Sequence, residues 1–368
     1  MANILEKLLA TNLVGLDIGS DSIKFLQLKN SAKGFQWIKG GVIEIPVESR
    51  GEDVDPELKE ALLVETLKKI FKDNKINSRN VITSVSGDSV IVRHVKLPAM
   101  SPEELKGVIQ YEAEQYIPNV DQFALDFQIL GETTEDNQKK MEVLLVGAKH
   151  ELLEKHLKIL DEAGMKSIVI DVDSLALSNA YEVNYSKEVD EGVVLLNIGS
   201  KLTTISILDG TNLRNTRDIP VAGNNFTRDI QREFNLSYAQ AEELKKLQAS
   251  IIVESDDISL LRMPTKDDRS IQIFEAISPT LNKLVTEIRR FFDYYETMSK
   301  KRNLKKIILS GGSSKIKNMD KFLQEKLGYP VEWNNPFAAV ELPKGEQEDL
   351  VKLSSLFTVA VGLAARRI

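Results

Sequence analysis

The stretch LVGLDIGSDSIKFLQL, residues 13–28, decides the fold. An apolar strand ends in Asp17, turns through Gly19, Ser20, Asp21 and Ser22, and resumes as a second strand carrying Lys24. A plain hairpin needs neither that carboxylate nor that lysine. The same plan returns in GVVLLNIGSKLTTISILDG, residues 192–210, where Asn197 lies over Asp17 and Gly199-Ser200 over Gly19-Ser20. The offset, 197 − 17, is 180 residues, about half of the 368-residue chain. Self-similarity at half the length predicts two halves built on one plan. Each copy reads as strand, tight turn, strand. Helical and strand patterns alternate downstream, which predicts α/β domains.

Bulk properties exclude several classes. Hydrophobic residues make up 42% and charged residues 28%, an ordinary globular balance. A net charge of −7 spread along the chain argues against a nucleic-acid binder held by phosphate contacts. With no cysteine there is neither a disulfide framework nor a thiolate metal site. The three histidines, His94, His150 and His156, are scattered, so no histidine metal cluster is expected. No apolar run reaches the roughly 18 residues needed to span a bilayer, and MANILEKLLATN lacks the apolar core of a signal peptide. These features predict a soluble protein of a reducing compartment. Ile4, Leu5, Leu8 and Leu9 share one helical face, either docked on the chain's own domain or reserved for a membrane or partner.

Along the first half the pattern predicts strands at 34–46 and 81–86 with a helix near 56–74. Then comes GDSVIVRHVKLPAMSPEELKGVIQYEAEQYIP, residues 87–118. Val90, Val92 and Val95 lie in a strand. Ser101-Pro102-Glu103-Glu104 starts a helix with a hydroxyl cap, a first-turn proline and a third-position glutamate. Leu105, Val108, Ile109, Ala113 and Tyr116 make its apolar face, and Pro118 stops it. A strand pair (123–130 and 141–148) with an exposed turn at 131–140, a helix (151–163) and a strand (167–172) follow. Together these predict an inserted strand–helix–strand–strand subdomain. In the second half a long helix, 281–298, buries Leu281, Leu284, Val285, Ile288, Phe292 and Tyr295. A β-branched strand then stops at Gly311-Gly312. The last helix, 356–367, is rich in Ala, Gly and Val, which suits close packing. The polar stretch 254–269 has no assignable pattern.

A glycine hairpin lets backbone N–H groups approach phosphates, and a nearby carboxylate can hold hydrated magnesium. Ser20 and Ser22 add hydroxyl donors and Lys24 a cation. One such turn also has a purely structural reading. Two, half a chain apart and followed by the Gly-Gly strand end, point to a nucleotide clamped between two domains.

The set resembles the actin-like ATPase superfamily. GLDIGSDSIK looks like its first phosphate motif and LLNIGSKLTTISIL like its second. IVIDVDSLALSNAY (residues 168–181) looks like its first connecting motif, IILSGGSSKI like its adenosine motif and LFTVAVGLAARR like its second connecting motif, all in the superfamily's order. Within it the chain resembles the PilM family of type IV pilus assembly proteins, itself similar to the FtsA division proteins. VKLPAMSPEEL followed by YEAEQYIP carries that finer likeness, although the helix alone reads as an ordinary amphipathic one. The resemblance implies an actin-like, duplicated ribonuclease H-like α/β fold. Residues 1–185 would form the first domain, with a small subdomain inserted at about 88–168 and the helix 356–368 packing back on it. Residues 191–355 would form the second.

The resemblance also implies ATP and magnesium as ligands. Asp17 would orient magnesium through water, and Gly19, Ser20, Asp21, Ser22 and Lys24 would cradle the phosphates. Asn197, Gly199, Ser200 and Thr203 would close from the other side, and Gly223 and Asn224 would approach at a helix start. AEELKK resembles a ribose-contacting motif through Glu242 and Lys245, a pair that otherwise reads as solvated helix surface. Gly311, Gly312, Ser313 and Lys315 would flank the adenosine, and Asp173 would polarise water. Many superfamily members carry Asp where this chain has Asn197, so a negative charge and possible base are missing. Phosphoryl transfer depends on positioning and electrostatics, so ATP binding with slow or no hydrolysis is expected.

Three readings compete. One is a scaffold at the cytoplasmic face of the inner membrane, peripheral through partners. It would hold the cytoplasmic tail of a PilN-like membrane protein beside the insertion, contact other pilus platform components, and have self-association open to it. A second is an FtsA-like polymerising tether, disfavoured because the chain runs out directly after the last motif without a linker and amphipathic helix. The third, a small-molecule kinase, lacks a substrate-side signature.

Overall fold

The computed structural model describes residues 13–32, 34–50, 54–135, 138–185, 191–253, 269–299 and 304–366. The helical face at Ile4–Leu9, the bulk of the unassigned stretch 254–269, and Arg367-Ile368 lie outside the described residues.

Eight strands come from the first half: β1 (Val14–Ile18), β2 (Ser22–Ser31), β3 (Gly34–Glu44), β4 (Asn80–Val85), β5 (Val90–Pro98), β6 (Phe123–Glu135), β7 (Gln138–Lys149) and β8 (Lys166–Val172). The later ones are β9 (Glu191–Ile198), β10 (Thr203–Asp209), β11 (Asn212–Ile219), β12 (Lys306–Ser310), β13 (Val331–Trp333) and β14 (Val340–Glu341). They form three sheets, ordered β14-β3-β2-β1-β4-β8, β11-β10-β9-β12-β13 and β5-β7-β6. In the two larger sheets an antiparallel meander is followed by a parallel neighbour: β1 pairs β4 as β9 pairs β12. The repeat seen in the sequence is therefore a repeat of topology. Registers agree as well, with Asp17 opposite Lys24 and Asn197 opposite Thr204. The third sheet, with the helix Pro102–Ala113 between β5 and β6, is the inserted subdomain. The fold is the expected actin-like α/β architecture.

Close packing of small residues sets the β1 region. The helix Thr358–Ala364 lies against β1 and the helix Asp173–Tyr185. A Cβ on Gly15 would stand 2.5 Å from the Ala364 nitrogen, and one on Gly362 only 1.8 Å from the Ala176 carbonyl oxygen. Buried Asp171 pairs with Arg366 at the end of the same helix.

Several elements differ from their sequence reading. The insertion helix ends at Ala113, so its buried stripe is Leu105, Ile109 and Ala113, every fourth residue. Val108 lies off that stripe and is 40% exposed. Tyr116 falls in the following turn, where it packs half-buried on the same cluster beside the fully buried Ile117. The segment 131–140 is largely ladder rather than loop, with Thr133 opposite Lys140 and Thr134 opposite Lys139. The long helix begins at Arg269, twelve residues before Leu281, and runs through Pro279. An internal proline costs about 3 kcal/mol, and full burial of Ile273 and Ile277 on the same stripe as Leu281 outweighs it. The last helix is shorter than read, because Ser354–Leu356 forms a separate 3-10 turn.

Candidate functional site

The two glycine turns have one geometry. Gly19 N–H donates to Ser22 O at 3.2 Å, and Gly199 N–H donates to Leu202 O at 2.9 Å. A Cβ would meet those same oxygens at 2.9 and 2.8 Å. Each turn closes on itself this tightly, so each needs glycine.

In the first turn Lys24 Nζ stands 3.4 Å from Asp17 Oδ2 and donates to Ser22 O at 3.3 Å. Burial raises the Asp17 carboxyl above its ordinary value, Lys24 pulls it back, and the charge of Asp173 raises it further. Asp173, first residue of its helix, accepts a hydrogen bond from Ser84 Oγ at 2.5 Å. Ser20 is exposed and Ser22 buried. Asp21 turns aside to pair with Arg50, which also donates to Ile45 O.

In the second turn Asn197 Oδ1 accepts from Ser310 Oγ at 3.1 Å. Ser313 Oγ donates to Gly199 O at 2.7 Å. Gly223 N–H reaches Gly199 O at 3.1 Å and Asn224 N–H reaches Ser200 O at 2.7 Å, so a helix start docks on the turn. A Cβ on Gly223 would stand 2.1 Å from Ser313 Oγ. Asn224 Oδ1 accepts from Ser200 Oγ (2.6 Å) and from Tyr238 OH (2.8 Å). Burial, with the charges of Glu242 and Asp21, pushes the Tyr238 phenol up to about 12, which keeps it a donor. Thr203 is fully buried and donates to Val221 O, so it supports the turn from inside.

Glu242 and Lys245 do not form solvated surface. Lys245 Nζ lies 2.6 Å from Glu242 Oε2, 2.8 Å from Thr227 Oγ1 and 3.1 Å from Gly223 O, and both side chains are buried. Burial draws the Glu242 carboxyl upward, and Lys245 and Thr227 more than offset it, leaving it below the ordinary carboxylate value. The pair thus locks the start of the Gly223 helix. Gly311, at φ 94°, would drive a Cβ into Ile198 O at 2.3 Å. Gly312 is exposed, and Lys315 donates to Lys352 O.

The two halves meet beside the helix Tyr238–Gln248. Lys246 bridges to Glu44 (3.1 Å) and Asp21 (4.0 Å) of the first half. A cavity of about 610 Å³ lies between the end of β3 and the helix Tyr238–Gln248. Arg50, Thr227, Tyr238, Lys246 and Ser310 were not singled out from sequence. The cap at Ser237, three residues before Gln240, was a visible signal for Tyr238's position; the others depend on contacts far apart in the chain.

The donor set suits a nucleotide. Among the described residues no group of three or more His, Asp or Glu side chains could hold a metal by itself. Nucleotide-bound magnesium asks less, one or two carboxylates with phosphates and waters, and Asp17 with Asp173 nearby meets that.

Comparison with known proteins gives the family and the fold. The profile of the family described as "Type IV pilus assembly protein PilM" matches residues 15–368. The solved "PilM-PilN type IV pilus biogenesis complex" is similar at 27% identity and TM-score 0.81, over 97% of this chain and 98% of that one. MreB 5 of Spiroplasma citri bound to AMPPNP is similar in fold, at 16% identity and TM-score 0.51 over 95% of this chain and 94% of that one. The cell division protein FtsA of Pseudomonas aeruginosa is 27% identical over 208 residues, 53% of this chain and 47% of that protein. The chain spans about half the length of the curated relatives it matches.

Proposed function

The chain belongs to the PilM family of type IV pilus assembly proteins, and from that premise we propose that it is an ATP-binding scaffold of the pilus assembly platform, working at the cytoplasmic face of the inner membrane. It holds the cytoplasmic N-terminal tail of a PilN-like membrane protein. Among the described residues no helix is long and apolar enough to cross a membrane, so attachment through the partner fits. We read 1–185, with 356–368, as the first domain and 191–355 as the second.

The observation that carries the nucleotide reading is the matched pair of glycine turns, each needing glycine against the same backbone oxygen. Asp17 would hold the magnesium that shields the phosphates. The exposed Ser20 on one side and the side-chain amide of Asn224 on the other would offer O–H and N–H donors to phosphate oxygens, while the Gly19 and Gly199 amides close their own turns. Lys24 balances charge, and the Glu242–Lys245 pair keeps the Gly223 helix start in place beneath the ribose. Asp173 orients water, while Asn197 supplies no carboxylate, so turnover falls below the ~1 s⁻¹ at the lower end of ordinary enzymes. Magnesium-ATP is expected to raise the melting temperature by mass action, and Asp17→Ala to remove the magnesium dependence. Absence of any shift at millimolar ATP, or hydrolysis at an enzyme's ordinary rate, would overturn this.

The partner reading rests on the likeness to the PilM–PilN complex and on the seam between insertion and parent sheet. There β8 ends the six-stranded sheet, and Ser167–Ile170 are half-buried. Partly buried Leu130, Val146, Leu152, Leu153, Ile168 and Ile170 pack around it. An extended tail can add along such an edge with its side chains in apolar pockets. Ile168→Lys is expected to weaken, at least tenfold, a peptide copying the tail of the co-encoded single-span membrane protein, with the ATP-induced melting shift unchanged. Isothermal titration reads this out. Unaltered affinity would move the partner elsewhere.

A further inference from the structure

The six-stranded sheet has two ends. β1, β4 and β8 run parallel, so Asp17, Ser84 and Asp173 stand at one end and the strand starts at the other. At the strand starts the helices Pro56–Asp73 and His150–Glu162 finish side by side. A cavity of about 660 Å³ opens between them and the loop that leads into β4. Lys68, Lys72, Lys75 and Arg79 line it, against one carboxylate, Glu162. Lys158 stands 3.8 Å from Glu162, and Lys68 pairs with Glu65 at 3.2 Å. Lys72, Lys75 and Arg79 are exposed and make no ion pair among the described residues, although the chain carries a net charge of −7.

Cations near a helix C-terminus ordinarily compensate its dipole. Here the end of Pro56–Asp73 is already closed. Asn74, Lys75 and Ile76 N–H groups donate to the carbonyls of Ile70, Lys72 and Phe71, and Lys39 Nζ donates to Asn74 O at 3.1 Å and to Lys75 O.

The two helices end in the same motif with different residues. Ile76 N–H reaches Phe71 O and Lys75 N–H reaches Lys72 O, just as Met165 N–H reaches Leu160 O and Gly164 N–H reaches Asp161 O. The motif places one residue in the left-handed region: Gly164 at φ 73° and Lys75 at φ 48°. Glycine adopts that conformation freely, whereas the Cβ of a lysine crowds the next carbonyl. Lys75 therefore brings a cation to the cavity rim at a cost to the helix end it closes, and backbone strain of this kind collects at functional positions.

The three cations stand on a helix, a turn and a strand entry, and none is buried. No enclosed donor set selects a single small anion, whereas a plane of many phosphates can meet all three. β1 starts at this end too, with Val14 opposite Val81. The sequence before it puts Ile4, Leu5, Leu8 and Leu9 on one helical face, so an apolar pattern joins the domain beside the cations. Stable binding to a bilayer takes two such signals. β8 also begins here, where Lys166 N–H donates to Arg79 O at 2.8 Å.

We propose that this end of the first half docks directly on an anionic lipid bilayer, with Lys72, Lys75 and Arg79 contacting its phosphates. This goes beyond attachment through a partner. Each cation close to such a surface strengthens binding about fivefold, so three give about a hundredfold, and salt screens the attraction.

The test is flotation of the full chain with vesicles, either pure phosphatidylcholine or with about a third phosphatidylglycerol. The wild type is expected to bind the anionic vesicles at least tenfold more tightly than the neutral ones at ~0.1 M salt, and to be released at ~1 M. Lys72→Gln with Lys75→Gly and Arg79→Gln is expected to lose about a hundredfold in affinity for the anionic vesicles. That variant should melt no lower than the wild type, since glycine relieves the turn, and should keep the wild-type response to magnesium-ATP. Lys106→Gln with Lys283→Gln and Lys317→Gln, exposed positions elsewhere, makes the same change in net charge and should float like the wild type. No preference of the wild type for anionic vesicles, a cavity variant that floats like the wild type, or a control that loses binding equally would overturn the proposal. A melting shift with inorganic phosphate and no flotation would make the cavity a small-anion site and overturn it as well. The ATP and tail readings are measured without lipid and stand or fall separately.

Discussion

Gly362→Val is expected to cost about 3 kcal/mol of stability or more, the upper part of the range for overpacked sites. The added Cβ would stand 1.8 Å from the Ala176 carbonyl oxygen and 2.6 Å from its carbon. Both are backbone atoms, so no rotamer change relieves the collision. On its other side the helix Thr358–Ala364 meets β1, where Gly15 already leaves no room. Pushing the helix out would separate β1, which carries Asp17, from the helix that Asp173 begins, so ATP binding should weaken in parallel. Gly107→Ala is the control, because a Cβ there meets nothing within 4 Å in an exposed helix position. It should stabilise by ~0.5–1 kcal/mol. Denaturant midpoints decide: equal midpoints for Gly362→Val and wild type would refute the close-packed contact.

Lys245→Met is expected to cost about 3–5 kcal/mol, the usual result of leaving one member of a buried ion pair alone. Glu242 would keep Thr227 as a hydrogen-bond donor at 2.5 Å and the half-exposed Lys246 at 3.9 Å, and lose its nearest, buried cation. Gly223 O would lose the ammonium that now fixes the helix start. Lys245→Met with Glu242→Leu should recover most of the stability, since an apolar pair of similar volume is often neutral or better. It should not recover ATP affinity, because an apolar pair cannot hold Gly223 O and with it the helix start proposed to lie beneath the ribose. Unfolding curves and ATP titrations on the two variants separate these effects. A double variant that binds ATP like the wild type would remove Glu242 and Lys245 from the site.

The glycine turns were legible because each is a local object: a strand, a glycine, small polar residues and a strand, all within about ten residues. The repeat added what one copy could not, since its second instance stands 180 residues on, Asn197 against Asp17. The role of Glu242 and Lys245 was not legible by pattern. A Glu and a Lys three residues apart on a helix look alike whether solvated or buried, and only Thr227 and Gly223, brought in from the preceding helix, settle which. Val108 was misread because three-residue and four-residue spacings both fit a helical face, and only the packing of the sheet selects the stripe Leu105, Ile109 and Ala113. The helix stops at Ala113, and Tyr116 and Ile117 reach the same cluster from the turn.

By itself, the sequence determined the strand and turn chemistry, the duplication and the insertion, because these follow from side-chain periodicity and from what glycine permits over short spans. The tertiary structure alone decided which charges are buried and which partners neutralise them. Asp21 goes to Arg50, Asp218 joins Gly87 to Thr204, and Arg214 reaches Glu142. Those partners lie up to 131 residues apart. A carboxylate's burial and its pairing depend on what the rest of the chain brings within a few ångströms of it, and no local pattern carries that distance.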